Sequence, residues 1–172
     1  MLWRYKWVRK HCQGRDVLDV PCGMGWGTSM LKVCRSLVGV DICPKAIQEA
    51  KERYGDIAEF VKGDMSSLNF KDASFDIVCC LEGIEHVPRD TAKKFMREAY
   101  RVLRDQGMLF LSSPYSKLGH SRNEYHIHEY PPEEIKELIE KYFQIEEVNI
   151  REVDTIEVHY FRCRKENRKR ES

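Results

Sequence analysis

Short apolar runs alternate five times with amphipathic, helix-like stretches along this chain, and that alternation leaves few folds open. "DVLDV" (16–20) is an apolar run entering a glycine loop, as a buried strand would. Residues 28–34 follow as a helix with Met30, Leu31 and Cys34 inward. "SLVGVD" (36–41) reads as a second strand. "PKAIQEAKERYG" reads as a helix started by Pro44 and ended by Gly55, with Ala46, Ile47, Ala50 and Tyr54 on one face. "AEFVKGD" (58–64) is a third strand, and "FDIVCCL" (75–81) a fourth, apolar enough to be central and parallel. Residues 90–103 give a helix, "GMLFLSS" (107–113) a fifth strand, and residues 132–142 a helix with acids at its positive N-terminus. "FQIEEVNI" and "TIEVHYFRC" close the chain as an antiparallel hairpin. The pattern predicts an α/β fold: a doubly wound, Rossmann-like, mostly parallel seven-stranded sheet with helices on both faces. Ligands on such sheets bind beyond the carboxyl ends of the strands. The chemistry is therefore expected after Val20, Val40, Val61, Leu81 and Ser113.

The loop "DVPCGMGWGTSML" tests which ligand that is. A P-loop needs Gly-Lys-Ser/Thr so that a lysine meets the phosphates, but Thr28 follows Gly27 directly. The dinucleotide fingerprint Gly-x-Gly-x-x-Gly, counted from Gly23, requires glycine where Thr28 stands; the third glycine comes one position early, at Gly27. That counts against NAD. Asp41 ends the second strand, where a carboxylate can take the two hydroxyls of a ribose. Asp64, after Gly63, is placed to accept an adenine amino group, with Met65 packing on the ring. A plain turn aspartate is the alternative reading of Asp64, given less weight than the adenine contact.

Composition narrows the classes further. The chain has 172 residues and a formal net charge of +1, about one domain with no overall field for nucleic acid. No apolar run is long enough to span a membrane, and the charged N-terminus does not read as a signal peptide. The seven cysteines form no Cys-x-x-Cys pair, so they read as reduced, mostly buried thiols of a cytoplasmic protein rather than as a structural zinc site. One domain is expected over residues 1–164, with residues 165–172 a solvated basic tail that frays.

Taken together, these motifs resemble the class I S-adenosylmethionine-dependent methyltransferases. Within them the chain looks like the small-molecule group related to ubiquinone-biosynthesis and glycan-associated enzymes. The likeness runs from "RYKW" to "FQIEEV" through "LDVPCGMGWG", "VGVDICPKAI", "GDM", "FDIVCCLEGIEHV", "AYRVLRDQGMLFLSSP" and "NEYHIHEYPPEEI". Two departures are plain: Pro21 replaces the first loop glycine, and "DQG" (105–107) replaces a Pro-Gly-Gly turn. The resemblance implies methyl transfer from S-adenosylmethionine, leaving S-adenosylhomocysteine. It implies that the Pro21–Cys22 entrance, Gly23 and Gly25 approach the methionine portion. Asp19 fixes the loop and reaches the donor's amino group, Asp41 takes the ribose, and Ile42 packs on adenine. Asp64 and Met65 frame the base, Leu81 and Glu82 line the methionine side, and Tyr5 closes over the donor or else packs the first helix.

Two segments bear on the acceptor. If "LEGIEHV" is helical, Glu82, Glu85 and His86 share a face at i, i+3 and i+4. In some quinone-pathway relatives a similar cluster binds a divalent metal, and this set suits Mg²⁺ or Zn²⁺ without requiring either. A catalytic role for His86 as general base is preferred to a metal. The loop "SKLGHSRNEYHIHEY", with His120, Tyr125, His126, His128 and Tyr130, is expected to cover the acceptor, with His126 the alternative base. His126 and His128 alternate as on a strand and are expected on one face. The acceptor is expected to be a small molecule, because no Asn/Asp-Pro-Pro-Tyr/Phe motif and no basic, aromatic-interleaved stripe is present, and the polar, histidine-bearing loop points to a hydroxyl as the group methylated. The protein is expected to act as a monomer or homodimer. Two other readings stay open: an NAD-type oxidoreductase, and a methyltransferase-like binding protein without chemistry.

Overall fold

A computed structural model describes residues 2–118 and 123–166. His120 and the tail beyond 166 lie outside the described residues.

The elements run α1 (Leu2–Arg9), β1 (Asp16–Asp19), α2 (Trp26–Ser29), β2 (Ser36–Asp41), α3 (Pro44–Tyr54), β3 (Glu59–Lys62), β4 (Phe75–Leu81), α4 (Arg89–Val102), β5 (Leu103–Ser116), α5 (Pro132–Glu140), β6 (Gln144–Val153) and β7 (Ile156–Arg164). The seven strands form one sheet in the order β3-β2-β1-β4-β5-β7-β6. β1 to β5 are parallel, and β7 runs antiparallel between β5 and β6. This is the predicted doubly wound sheet with its closing hairpin. β4 lies between β1 and β5 with Ile77, Val78, Cys79, Cys80 and Leu81 all buried, which is why its run is apolar throughout.

Each face of the sheet has its own core. On one side Phe95, Met96 and Ala99 of α4 and Ile135 and Ile139 of α5 pack on Leu109, Leu111 and Phe161. On the other, Tyr5, Trp7 and Val8 of α1 and Ile47 and Ala50 of α3 pack on Val17, Phe60, Ile77 and Phe110. The strand order reverses between β1 and β4. Chain leaving β1 passes to β2 and β3, and chain leaving β4 passes to β5, so a crevice opens beyond their carboxyl ends.

Several local expectations need correction. The helix expected at 28–34 ends at Ser29. Thr28 turns its hydroxyl inward to Asp19, and Met30 and Leu31 donate three residues back, to Gly27 and Thr28, so the segment tightens into turns. β5 extends to Ser116 because β7 pairs with it that far. The basic tail does not start at Lys165. The Lys165 amide donates to the carbonyl of Gly107, and its ammonium donates to the carbonyl of Leu103 at 2.6 Å.

Gly27 shows how α1 is fixed. A Cβ built there would collide with the ring of Tyr5, itself 5% exposed. Gly27→Ala is therefore expected to push α1 off the sheet and to cost about 1–3 kcal/mol, the range for overpacking a filled core. Urea unfolding measures this; an unchanged midpoint would show that α1 does not rest on this contact.

Candidate functional site

The crevice is organised by two aspartates at strand ends. Asp41, last in β2, accepts the Gly23 amide on Oδ2 at 2.8 Å and the Cys43 amide on Oδ1 at 2.9 Å. It thereby joins the loop after β1 to the loop after β2. Each oxygen retains a lone pair for a further donor. Gly23 has φ 54°, a left-handed conformation, and a Cβ there would meet nothing within 4 Å. The space before it is open. Gly25, at φ 78°, has a different reason to be glycine: a Cβ would sit 2.7 Å from the Phe60 ring and 3.0 Å from Ala50. Internal packing by itself thus demands glycine at 25.

Asp19, last in β1, is fully buried. Its Oδ2 accepts hydrogen bonds from Thr28 Oγ1 at 2.6 Å and Tyr5 Oη at 3.2 Å, while Oδ1 has no partner. Burial pushes its pKa up to about 7, against those two donors. Tyr5 packs on Gly27 and reaches the site only through Asp19; it stands in the core rather than over the crevice. Arg4, its neighbour, was not singled out from sequence. Its NH1 lies 2.6 Å from Glu82 Oε1, and its buried Nε has no partner.

A cavity of about 430 Å³ runs beyond β1, β2 and β3. Val20, Pro21, Asp41, Ile42, Asp64, Met65, Gly83 and His86 line it, with Val87, Pro88 and Thr91 at the start of α4. Six predicted residues thus share one wall: Pro21, Asp41, Ile42, Asp64, Met65 and His86. Asp64 also accepts the Ser66 amide at 2.8 Å, the turn role that is the lesser of its two readings. Pro21 packs on Gly83, where a Cβ would collide with the proline ring. Tyr5, Asp19, Cys22, Gly23, Gly25, Leu81 and Glu82 lie behind or beside this wall.

The segment after β4 is not an α-helix. Glu82 sits at φ 55°, its amide donating to Ser112 Oγ at 2.7 Å, and only Ile84–His86 form a single 3₁₀ turn. Glu82, Glu85 and His86 therefore do not share a helical face: Glu82 turns to Arg4 while Glu85 is buried. The Glu85 carboxylate finds no partner beyond its own backbone amide, and burial raises its pKa to about 8. The loop before α5 folds onto this turn. Ile127 and His128 amides donate to the Glu85 carbonyl at 2.8 and 3.1 Å, and His86 Nδ1 lies 2.9 Å from the Tyr125 carbonyl. His126 meets His86 edge to face, ring centroids 4.9 Å apart, with its Nδ1 2.6 Å from Glu129 Oε1. His128 turns instead to Arg89 and Glu134. The expectation that His126 and His128 share a face is corrected, because no strand forms there to alternate them. Glu129 was missed, although its place three residues after His126 was a usable signal.

Residues 18–111 match the family model described as "Methyltransferase domain". The chain belongs to that family, the class I S-adenosylmethionine-dependent methyltransferases. A probable S-adenosylmethionine-dependent methyltransferase of Mycobacterium tuberculosis is 35% identical over 119 residues, 63% of this chain and 42% of the relative. A phthiotriol/phenolphthiotriol dimycocerosates methyltransferase of Mycobacterium leprae is 36% identical over 115 residues, 62% of this chain and 41% of the relative. The chain spans about half the length, or less, of such curated relatives. Among solved structures, an S-adenosylmethionine-dependent methyltransferase from Methanosarcina mazei superposes with a TM-score of 0.78 at 20% identity, over 92% of this chain and 96% of that one. That likeness supports the fold. No helix among the described residues is long and apolar enough to cross a membrane.

The raised pKa of Asp19 has a measurable consequence. A carboxyl with a higher pKa folded than unfolded binds more protons in the folded state between the two values, so stability falls as pH rises through that interval. For Asp19 the interval runs from about 4, the unfolded value, to about 7. Asp19→Asn, which cannot ionise, is expected to remove this slope, at most about 1.4 kcal/mol per pH unit. Urea midpoints at pH 4.5, 5.5, 6.5 and 7.5 read it; a parallel slope in the variant would refute the assignment.

Proposed function

We propose that this chain binds S-adenosylmethionine in the crevice and transfers its methyl group to a hydroxyl of a small-molecule acceptor. The observation that carries the reading is the cavity at the switch in strand order, lined by Asp41, Ile42, Asp64 and Met65 from the ends of neighbouring strands. Asp19 Oδ1 can only accept while ionised, and Arg4 Nε can only donate. An amino-acid end bearing an ammonium and a carboxylate supplies the complement to both. Asp41 has lone pairs left for a ribose diol, while Ile42 and Met65 offer apolar surface for adenine and Asp64 a carboxylate at its edge. Open space at Gly23 admits the chain between the two ends.

When bound, S-adenosylmethionine supplies a methyl group already activated by its sulfonium. What remains for the protein is orientation and proton removal. Glu82 sits in a left-handed conformation, its amide bonded to Ser112 and its carboxylate paired with Arg4. The imidazole pair faces that side. His86 and His126 each present Nδ1 to an oxygen, which leaves Nε2 with its lone pair toward the acceptor and makes the pair the group that activates the hydroxyl. The loop of Tyr125 to Tyr130, laid over Glu85, limits water there. The relative named for a phthiotriol favours a hydroxyl acceptor.

Calorimetric titration tests the reading. S-adenosylhomocysteine is expected to bind, and Asp41→Ala to weaken it at least tenfold with thermal stability followed as the control. Tighter binding of NAD than of S-adenosylhomocysteine would hand the site to oxidoreductase chemistry. Binding without transfer across a panel of phenols, catechols and alcohols would favour a non-catalytic role.

A further inference from the structure

We propose that two copies of this chain join edge to edge through β6, antiparallel about a two-fold axis at Asn149, so that their two sheets become one. The sheet has two edges, β3 and β6. β3 covers only Glu59–Lys62 and carries a charge at each end, and shortness and charge are the usual protection of a free edge. β6 covers Gln144–Val153, and its inner side is paired with β7 along that length. Its outer row of amides and carbonyls meets no strand among the described residues. An edge of that length is a template for another strand.

Both faces of β6 carry the marks of an interface. Val148 and Ile150 are 41% and 56% exposed, the only large apolar side chains that a strand among the described residues leaves so open. They share one face, because side chains alternate along a strand. Opposite them on β7 stand Phe161 and His159, both buried, so burial stops one strand short of the edge. On the other face Glu147 and Arg151 turn towards α1. Glu147 accepts hydrogen bonds from Trp7 Nε1 at 3.3 Å, Asn149 Nδ2 at 2.8 Å and Arg162 Nε at 3.0 Å. The Arg151 guanidinium lies 3.9 Å from the centre of the Trp3 ring and has no carboxylate partner among the described residues. An anion and a cation are thus fixed at the edge, one on each side of Asn149.

The order of these residues selects a second copy as the occupant. Pairing β6 with itself antiparallel, Asn149 opposite Asn149, sets Val148 opposite Ile150 and Glu147 opposite Arg151, each twice. Apolar residues then meet on one face and opposite charges on the other, the two kinds of cross-strand pair that stabilise a ladder. A slip of one residue either way would set Val148 and Ile150 against Asn149, Glu147 or Arg151. The bulge between Ile145 and Glu147 lies just before this stretch and does not interrupt it. Two-fold closure also stops growth, since pairing consumes both β6 edges and leaves only the short β3 edges.

The same geometry places the crevices. Each β6 runs antiparallel to its counterpart, so the two crevices open at opposite ends of the joined sheet, and each is built from one copy alone. This inference therefore stands independently of the methyl-transfer reading.

The test is sedimentation velocity of the chain from about 1 to 300 µM, because contacts of modest size give dimers that dissociate within a measurable range. Expected is a concentration-dependent dimer, weakened at least tenfold in Ile150→Lys and in Arg151→Glu, with circular dichroism and thermal midpoints as controls of folding. Ile150 is exposed, so its replacement removes no core contact. Should Arg151→Glu loosen α1 through Trp3, Ile150→Lys still decides. The register is read with a short bismaleimide on Asn149→Cys, in a Cys43→Ser background that removes the exposed native thiol. A cross-linked dimer is expected there and none from Glu59→Cys on β3. A monomer over the whole range, a dimer that Ile150→Lys leaves intact, or cross-linking through Glu59→Cys but not Asn149→Cys would overturn the proposal.

Discussion

The site depends first on the carboxylate of Asp41. Its two oxygens take one amide from the loop after β1 and one from the turn into α3, so a single side chain fixes both loops that leave the crevice. Hydrogen bonds to an ionised acceptor are worth more than neutral ones, and here two of them hold backbone rather than side chain. Without that tie, the left-handed path of Gly23 would have nothing to keep the open space in front of it. The same residue forms part of the cavity wall, so the group that shapes the loop also faces the cavity.

The sheet was legible because its physics is local and repetitive. β4 sits between two parallel partners, so both faces demand apolar residues, and "FDIVCCL" states that directly. Asp41, Asp64 and Met65 were legible because strand ends on this fold point to one crevice, and the chain order says which strands have them. What sequence could not reveal depends on partners distant along the chain. Gly25 is required by Phe60, Gly27 by Tyr5, and the short α2 by the demand of Asp19 on Thr28. None of these leaves a periodic trace. The turn after β4 was misread for a related reason. A helical face assumes helical dihedrals, and Glu82 is pulled into the left-handed region by Ser112 and Arg4.

The two buried acids, Asp19 and Glu85, show how differently one chain can treat a carboxylate. Both have pKa values raised by burial. Asp19 is partly satisfied by two hydroxyl donors, which join α1 and α2 to β1, and its other oxygen has no partner. The Glu85 carboxyl has no side-chain hydrogen-bond partner among the described residues, though Arg4 lowers its pKa somewhat, and its backbone carbonyl, not its carboxyl, holds the overlying loop. Its position is thus secured by main-chain bonds that do not need the acid. A glutamine, or an apolar residue, would serve those bonds equally well.

That separation bears on why the residue is an acid at all. Where backbone alone positions a side chain, the carboxyl is explained by what lies near it, and two imidazoles do, each with its Nδ1 on an oxygen. Burial raises the Glu85 pKa to about 8, so at neutral pH the carboxyl keeps its proton and is a donor within reach of a ring nitrogen rather than a third bare acceptor.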